Sequence, residues 1–182
     1  MSSSAPPPLL LREATAADVP AIAAIYALEV TGFVNTYEYE VPDEAEMRRR
    51  MQAVQAGGYP YLVAERGGRV LGYAYAAGYR SRIAYRWTVE NSVYVAADAQ
   101  GQGVGAALLQ RLIDDCAARG FRQMVAVIGE PANTASIRLH ERFGFALIGV
   151  FPTLAWKHGR WLDTVQMQRA LGAGGTLPPD DP

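Results

Sequence analysis

Three closely spaced glycines restrict the fold of this chain more than any other feature of its sequence. Gly101, Gly103 and Gly105 lie between a strand-like segment and an amphipathic helical segment. Glycine lets the backbone adopt conformations that other residues avoid and lets it approach a ligand closely. The helix start that follows supplies free N–H groups and the positive end of the helix dipole. The loop therefore predicts a site for phosphate groups, with a tight turn that holds no ligand as the alternative.

Two common phosphate-binding motifs fit this loop less well. A P-loop ends in Gly-Lys-Ser or Gly-Lys-Thr, whereas Gly105 is followed by two alanines. A dinucleotide fingerprint would use Gly101, Gly103 and Ala106, with Glu130 roughly 20 residues further on. That motif belongs to repeated β-α-β units, but a predicted hairpin precedes this loop. A nicotinamide-nucleotide enzyme therefore stays only as an alternative.

The composition predicts one packed globular domain. Of the 182 residues, 50% are hydrophobic and 19% are charged, with a formal net charge of −1. This balance offers no net attraction to nucleic acid or acidic membranes, so neither is expected as a partner. No segment approaches the ~20 apolar residues of a membrane span. One cysteine, Cys116, and two histidines, His140 and His158, leave little material for a metal site, so no metal is expected.

The two ends of the chain differ from its middle. Residues 1–8 contain three consecutive prolines, and residues 172–182 are rich in glycine and proline. We expect a disordered N-terminal segment, an ordered domain at residues 9–171 and a flexible C-terminal tail. The first residues lack the basic and apolar regions of a secretory signal, so a cytoplasmic location is expected.

Hydrophobic periodicity predicts an α/β fold of the α+β type with the element order βααβββαβαββ. Gly67-Gly68 marks the turn of a hairpin. The predicted sheet is mixed, antiparallel in its first half and with a parallel crossover in the middle. The predicted strands are Leu9–Ala14, Tyr61–Arg66, Arg69–Tyr75, Thr88–Val95, Gln123–Ile128, Ala146–Phe151 and Leu162–Arg169. The predicted helices begin near Thr15 or Asp18, at Pro42, after Gly105 and after Asn133.

Several segments resemble a known family of enzymes. Gln100-x-x-Gly103-x-Gly105 is similar to the Q/R-x-x-G-x-G/A signature of the GNAT acyltransferase superfamily, which cradles the pyrophosphate of acetyl-CoA. Within that superfamily, the chain from Leu11 to Leu171 resembles the phosphinothricin N-acetyltransferase group, which includes the acetyltransferases of methionine sulfone and methionine sulfoximine. Besides the glycine loop, Asn133–Ser136 and Glu141–Phe145 carry the resemblance to the superfamily. The segments that carry the resemblance to the group are Thr88–Val95, Val125–Ile128, Ser136–Glu141 and Lys157–Asp163.

The resemblance implies a GNAT acyl-CoA N-acyltransferase fold and an acetyl-CoA-dependent N-acetyltransferase. It implies that the free amine of a small amino-acid-like substrate attacks the acetyl thioester directly in a ternary complex. It also implies a homodimer. A non-catalytic acetyl-CoA-binding module on the same fold is the alternative. Cys116 lies on a predicted core stripe, and we interpret it as packing and not as a nucleophile.

Two residues are predicted to be catalytic on the strength of the resemblance. Glu90 matches the position of the family's proposed general base, and strand alternation places it on the same face as Ser92 and Tyr94. Without the resemblance, a solvated strand glutamate is the simpler interpretation. His140 stands where many members have a tyrosine that is thought to protonate the departing thiolate. A histidine there could donate to the sulfur, accept from the amine or orient a water, and Tyr94 is an alternative acid.

The resemblance also assigns residues to the cofactor. The backbone of Val93, Tyr94 and Val95 is expected to bind the pantetheine arm, which in this fold lies between two splayed parallel strands, here those of Val93 and Val125. Asn133 is expected to hydrogen-bond the arm from the far side as well as to cap its helix. The N–H groups expected to take the pyrophosphate are those of Gly101, Gln102, Gly103, Val104, Gly105 and Ala106.

The amine substrate is expected to contact the irregular segment that leads into Glu90. An arginine in this segment would pair with a carboxylate or a sulfonyl-like oxygen, although a solvated charge fits a loop equally well. Trp161, Phe151 and Trp156 are expected to pack structurally, with the turn Lys157–Asp163 as a segment that could border the site from a second subunit. The residues predicted to bind the substrate are Arg82, Tyr85, Asn91 and Ser92, with Arg86, Phe33 and Tyr37 as further candidates.

Overall fold

The computed structural model describes residues 7–179. Within that range the chain forms seven strands and four α-helices in the predicted order, together with three short 3-10 helices. The strands are β1 (Leu10–Glu13), β2 (Tyr61–Arg66), β3 (Arg69–Gly78), β4 (Thr88–Val95), β5 (Gln123–Ile128), β6 (Ala146–Lys157) and β7 (Arg160–Ala170). The α-helices are α1 (Val19–Gly32), α2 (Glu44–Ala56), α3 (Val104–Ala118) and α4 (Thr134–Arg142). Residues 1–6 and 180–182 of the two predicted terminal segments lie outside the described range.

All seven strands join one sheet in the order β1-β2-β3-β4-β5-β7-β6. β4 and β5 are parallel, and each other neighbouring pair is antiparallel. The predicted mixed sheet is therefore confirmed, with the parallel crossover through α3 at its centre. Because β7 lies between β5 and β6, the last hairpin extends the sheet beyond β5, and β6 forms its edge.

Local sequence signals account for the boundaries of several elements. Gly67 and Gly68 form the two-residue turn between β2 and β3, with φ angles of +59° and +81° that suit glycine. Asn133 caps α4 by accepting a hydrogen bond from the Ser136 N–H at 3.1 Å. The predicted apolar stripe of α3 is buried and consists of Leu108, Leu109, Leu112, Ile113 and Cys116.

The sheet separates two hydrophobic layers. α3 packs on one face, and α1 and α2 pack on the other. The α1–α2 layer contains stacked tyrosines, with the ring centroids of Tyr73 and Tyr94 5.0 Å apart. Neighbouring residues of β4 therefore face different layers, since Val93 and Val95 pack in the α3 layer and Tyr94 packs in the α1–α2 layer. This alternation decides where the polar residues of β4 point.

The last two strands are longer than predicted. β6 continues past Phe151 to Lys157, and β7 begins at Arg160 instead of Leu162. The register between the two strands shifts after Phe151, and Thr153 in that region has a φ of +51°. An earlier shift lies between Leu147 and Gly149, inside the predicted strand, and the predicted strand ends at the second one. Such irregularities interrupt the two-residue alternation on which the prediction rests.

Candidate active site

The parallel strands β4 and β5 separate halfway along β4. Among the described residues, they pair from Thr88 to Asn91 of β4 and no further. β4 then continues along β3 alone, and β5 continues along β7 alone. The segment Ser92–Val95 thus has an edge without a strand partner. That edge lines a cleft of about 1040 Å³, together with Val127 and Ile128 of β5.

The glycine loop lies at this cleft. Gly101 and Gly103 have φ angles of +73° and +80°, and a Cβ on either residue would meet open space, so backbone conformation is what requires glycine here. Gly103 is the N-cap of α3, and the first helical hydrogen bond runs from the Ala107 N–H to the Gly103 carbonyl at 3.0 Å. N–H groups that precede such a bond are available to an anion. In α3 they belong to Val104, Gly105 and Ala106, all of which line the cleft.

Gln102 differs from the other residues predicted to hold a pyrophosphate. Its side-chain carbonyl accepts a hydrogen bond from the Arg66 guanidinium at 2.9 Å, and its amide donates to the Asp98 carbonyl at 2.8 Å. The residue does not line the cleft. The structure thus brings five of the six predicted loop residues to the cleft, and Gln102 has its side chain bonded elsewhere.

Glu90 lies on the face of β4 that points to α1, half-buried in the cleft. No hydrogen bond or ion pair to its carboxylate is formed within residues 7–179, and burial alone raises the pKa of the carboxyl group. Its nearest titratable neighbours include Tyr37 and Tyr75, whose pKa values are raised by burial and, to a smaller extent, by the charge of Glu90. The cleft therefore contains an unpaired carboxylate whose protonated form is favoured more than that of an exposed glutamate.

His140 lies on the opposite face of β4 and is only 4% exposed. Its Nδ1 is 2.8 Å from the Ser136 carbonyl oxygen, and its Nε2 is 3.0 Å from Oδ1 of Asn91. The ring also packs edge-on against Phe145, with the ring centroids 4.9 Å apart. Burial lowers the pKa of His140, and the hydrogen bond to Ser136 opposes that effect. Both ring nitrogens therefore have protein partners, unlike the carboxylate of Glu90.

Asn133 has both ends of its side-chain amide engaged. Its Oδ1 accepts from the Ser136 N–H, as in the predicted helix cap, and its Nδ2 donates to Oδ1 of Asn35 at 2.8 Å. Asn35 in turn donates from Nδ2 to the carboxylate of Glu29 at 2.6 Å. Glu29 is buried, and burial raises the pKa of its carboxyl group. The Asn133 NH₂ group has a second N–H, so it can also donate to a cofactor while it keeps its hydrogen bond to Asn35.

The connection between α1 and α2 forms one wall of the cleft. Lys157, which is 1% exposed, holds this connection by donating to the carbonyl oxygens of Phe33 at 2.8 Å and Thr36 at 2.7 Å. Gly129 lies directly against it, since a Cβ on Gly129 would clash with the Val34 carbonyl oxygen. The wall is thus fixed by a buried lysine from β6 and by a close backbone approach at the end of β5.

Sequence reasoning does not identify Glu29, Asn35 or Lys157 as site residues. Lys157 and Phe33 are 124 residues apart in the chain, so no local pattern links them. Phe33 and Tyr37, which the sequence suggests as further candidates for substrate contact, line the cleft. The turn after Lys157 borders the cleft of its own chain, where His158 and Arg160 supply lining residues.

Arg82 and Tyr85 are not brought to the cleft. Tyr85 lines a separate cavity of about 190 Å³ together with Tyr79, and Arg82 is exposed on the same loop. Asn91 and Ser92 do line the cleft beside Glu90. Of the four residues predicted to bind substrate, Ser92 shares the face of Glu90, Asn91 lines the cleft with its side chain on the opposite face, bonded to Val125 and His140, and Arg82 and Tyr85 lie apart from the cleft.

Within residues 7–179, no group of three or more histidine, cysteine, aspartate or glutamate side chains converges in a way that could hold a metal ion. Nor is any helix in this range both long enough and apolar enough to cross a membrane.

The fold and the cleft together define a class of protein. A mixed sheet whose two parallel strands separate beside a glycine-rich helix start is the architecture that the sequence resemblance implies for an acyl-CoA N-acyltransferase. Residues 22–145 match the family model described as the Acetyltransferase (GNAT) family. The chain belongs to this family, which confirms both the predicted resemblance and the predicted fold.

Individual relatives agree with this assignment. The chain is 52% identical to a phosphinothricin N-acetyltransferase of Alcaligenes faecalis over 163 residues, which are 90% of this chain and 83% of that protein. It is 43% identical to an L-methionine sulfoximine/L-methionine sulfone acetyltransferase of Pseudomonas paraeruginosa over 170 residues, covering 92% of this chain and 98% of that protein. Its structure is similar to the crystal structure of a GNAT superfamily phosphinothricin acetyltransferase from Sinorhizobium meliloti in complex with AcCoA. That similarity has a TM-score of 0.92 at 49% identity and covers 95% of this chain and 94% of the other.

Proposed function

We propose that this protein transfers an acetyl group from acetyl-CoA to the free amine of a small amino-acid-like substrate of the phosphinothricin, methionine sulfone or methionine sulfoximine type. The observation that carries the proposal is the unpaired, half-buried carboxylate of Glu90 at the point where β4 and β5 separate. The names of the relatives described above support the substrate class.

The chain's own residues fit acetyl-CoA. The free edge of Ser92–Val95 matches a ligand arm that continues the sheet in the place of a strand. The helix start after Gly103 matches an anionic pyrophosphate, which explains how a chain of net charge −1 would hold a polyanion through backbone N–H groups. Asn133 would donate to the arm through its second amide N–H, beside the one that bonds Asn35. When bound, acetyl-CoA supplies an acetyl thioester whose carbon–sulfur bond breaks as the amide bond forms.

Glu90 is proposed to be the general base. An amine at neutral pH carries an extra proton and must lose it before its nitrogen can attack a carbonyl carbon. The Glu90 carboxylate would accept this proton. Within the described residues it forms no hydrogen bond that would compete with the amine. Because burial raises the pKa of Glu90, its proton affinity lies closer to neutral pH than that of an exposed glutamate.

The thiolate that leaves must receive a proton, and Tyr94 and His140 are the two candidates. Tyr94 lines the cleft on the face of Glu90, and burial holds the pKa of its hydroxyl well above the ordinary value, so it stays protonated. His140 has both ring nitrogens bonded to Ser136 and Asn91. The Tyr94 hydroxyl also has a hydrogen-bond partner, Ser92, but it lies on the face of Glu90. We therefore propose Tyr94 as the direct donor and His140 as a residue that acts through its contacts.

Recognition of the substrate carboxylate is proposed to involve an arginine. Arg82, which the sequence suggests, lies outside the cleft, whereas Arg160 lines it and pairs with Glu130 at 2.8 Å. The Arg160 guanidinium is about half exposed and has further donors for a second carboxylate. We assign the carboxylate contact to Arg160 in this chain.

Release of the CoA thiol tests the activity directly. Purified protein would be incubated with acetyl-CoA and, in separate reactions, phosphinothricin, methionine sulfone and methionine sulfoximine. We expect thiol release with at least one of them and none with N-acetylated methionine sulfone, which has no free amine. Tight binding of acetyl-CoA without thiol release from any amine would instead favour the non-catalytic module. Binding of NAD in preference to acetyl-CoA would favour the nicotinamide-nucleotide enzyme.

We also propose that the protein is a cytoplasmic homodimer. A dimer is supported by a large apolar surface on the edge hairpin β6–β7. Its exposed residues are Leu147, Ile148, Val150, Phe151, Leu154, Trp156 and Trp161. Sedimentation velocity is expected to show a dimer and a shift to monomer in Trp161→Asp; a monomeric wild-type protein would contradict the dimer.

A further inference from the structure

Asn91 connects three parts of the cleft. It is the last residue of β4 that pairs with β5, and it is 6% exposed. Its Nδ2 donates to the Val125 carbonyl oxygen at 3.0 Å, and its Oδ1 lies 3.0 Å from Nε2 of His140. One side chain thus joins β4, β5 and α4 at the point where the two parallel strands begin to separate.

The hydrogen bond to Val125 fixes the orientation of the Asn91 amide. A backbone carbonyl oxygen only accepts, so the group that faces Val125 must be the NH₂ end of the amide. Oδ1 then faces His140, and an oxygen of this kind also only accepts. A flipped amide would set two acceptors against each other at Val125 inside a buried site, which is unfavourable. Nε2 of His140 must therefore carry a proton.

The other ring nitrogen of His140 has a choice of partners in Ser136. The Ser136 carbonyl oxygen, 2.8 Å from Nδ1, accepts from a protonated Nδ1. The Ser136 hydroxyl, 3.5 Å from Nδ1, is able to donate to an unprotonated Nδ1. The charged ring, with protons on both nitrogens, satisfies all of these contacts as they stand. The neutral ring with its proton on Nε2 keeps the Asn91 contact but leaves Nδ1 facing the Ser136 carbonyl oxygen, so Ser136 must shift to bring its hydroxyl to Nδ1. Asn91 has no such second group to offer Nε2, which is why we expect the neutral ring to keep its proton there. Asn91 accepts from Nε2–H in both states, and this hydrogen bond is stronger when the ring is charged.

We propose that Asn91 is a positioning residue that holds His140 through Nε2–H and thereby anchors α4 to β5 beside the separation of β4 and β5. His140 then acts as the other half of this anchor and does not exchange protons with the substrate. The inference rests on the proposed function, because the cleft that the anchor shapes is the one assigned to acetyl-CoA. It also reassigns Asn91, which the sequence places among the substrate-binding residues.

The position of the proton can be read in the unmodified protein. The chain has only two histidines, so two-bond ¹H–¹⁵N spectra resolve the ring of His140 once His158→Gln identifies the other ring. We expect neutral His140 to carry its proton on Nε2. A neutral ring with its proton on Nδ1 and a bare Nε2 would overturn the proposal, whatever the outcome of any acetylation assay.

Variants at Asn91 test the same contact by titration of the His140 ring protons. Asn91→Asp places a negative charge beside Nε2 and is expected to raise the pKa of His140 by about 1 unit or more. Asn91→Leu removes the acceptor and is expected to lower it. Thr88→Asp adds the same carboxylate to the same strand, but on the opposite face and three residues away, and is expected to leave this pKa nearly unchanged. No charged group is among the causes that shift the pKa of His140, so the baseline is set by burial and by Ser136.

Acetyl-CoA binding gives the functional readout of the anchor. Asn91→Leu is expected to raise the equilibrium dissociation constant of acetyl-CoA at least about 10-fold. The reason is that the variant lacks the side chain that joins β4, β5 and α4. If Asn91→Leu binds acetyl-CoA as tightly as the wild type while the His140 titration is also unchanged, the anchor is refuted. Should the protein bind acetyl-CoA but acetylate no amine, the proposed function fails while the two spectroscopic results still decide the role of Asn91.

Discussion

The two faces of β4 present polar residues in opposite states. On the face toward α1, the carboxylate of Glu90 has no hydrogen-bond partner within the described chain. On the face toward α3 and α4, Asn91 and His140 are bonded to each other and to the backbone at both ends. A group that exchanges protons with a substrate needs a free lone pair, whereas a group that holds a shape needs all its bonds made. This contrast distinguishes Glu90, the proposed base, from Asn91 and His140, which we propose anchor α4 to β5.

The largest effect is expected from removal of the unpaired carboxylate. Glu90→Gln keeps the size of the side chain but cannot accept a proton from the amine, so kcat should fall by about 1000-fold, within the usual range for a general base. Binding of acetyl-CoA should change little, because Glu90 is not part of the glycine loop. Steady-state kinetics and calorimetry measure the two quantities. Glu141→Gln, an exposed substitution on α4, is the matched control, and retained turnover in Glu90→Gln would eliminate the assigned base.

A smaller loss is expected from Tyr94→Phe. The ring would keep its packing against Tyr73 and Tyr26, with centroids at 5.0 and 5.4 Å, so the fold should persist. Loss of the hydroxyl removes the proposed proton donor to the thiolate, and kcat should fall by about 100-fold, the lower end for acid–base catalysis. Stopped assays of thiol release would measure it. Wild-type turnover in Tyr94→Phe, together with a severe loss in His140→Gln and an unchanged acetyl-CoA affinity, would return the donor role to His140.

The α1–α2 connection, which forms a wall of the cleft, is expected to depend on the buried charge of Lys157. Lys157→Met removes the donor to two carbonyl oxygens, of Phe33 and Thr36, and leaves them without that partner. The free energy of unfolding should fall by about 2 kcal/mol, as for other buried polar groups that lose a partner. Denaturant titration measures this loss. As a comparison, Arg69→Ala breaks a pair with Asp98 in which both side chains are about 60% exposed, and should cost less than ~1 kcal/mol.

Much of the fold was predictable because its signals are local. The limits of β4 and β5, the hairpin at Gly67-Gly68 and the cap at Asn133 each depend on a few neighbouring residues. The glycine loop is also local, since positive φ angles at Gly101 and Gly103 require glycine. Such patterns can be recognised in the sequence, because backbone sterics and the hydrophobic periodicity of helices and strands determine them.

The parts of the site that escaped prediction depend on distant contacts. Glu29 and Lys157 have ordinary sequence surroundings, and only the folded chain brings them to the α1–α2 connection. Arg82 is close to Glu90 in sequence but lies outside the cleft, because the loop that carries it leads away from the separated half of β4. Likewise, the sequence places His140 at the site without revealing that both its ring nitrogens are already bonded.

The pH dependence of kcat/KM tests the central role of Glu90 most directly. Burial raises the pKa of this carboxyl group, and the base acts only when ionised, so the rate should be lost as pH falls through a value above 4.5, the ordinary value for glutamate. We predict that the acidic limb of the wild-type profile lies above that value and that the residual activity of Glu90→Gln lacks this limb. The same limb in wild-type protein and in Glu90→Gln would show that another group titrates, and would contradict the account.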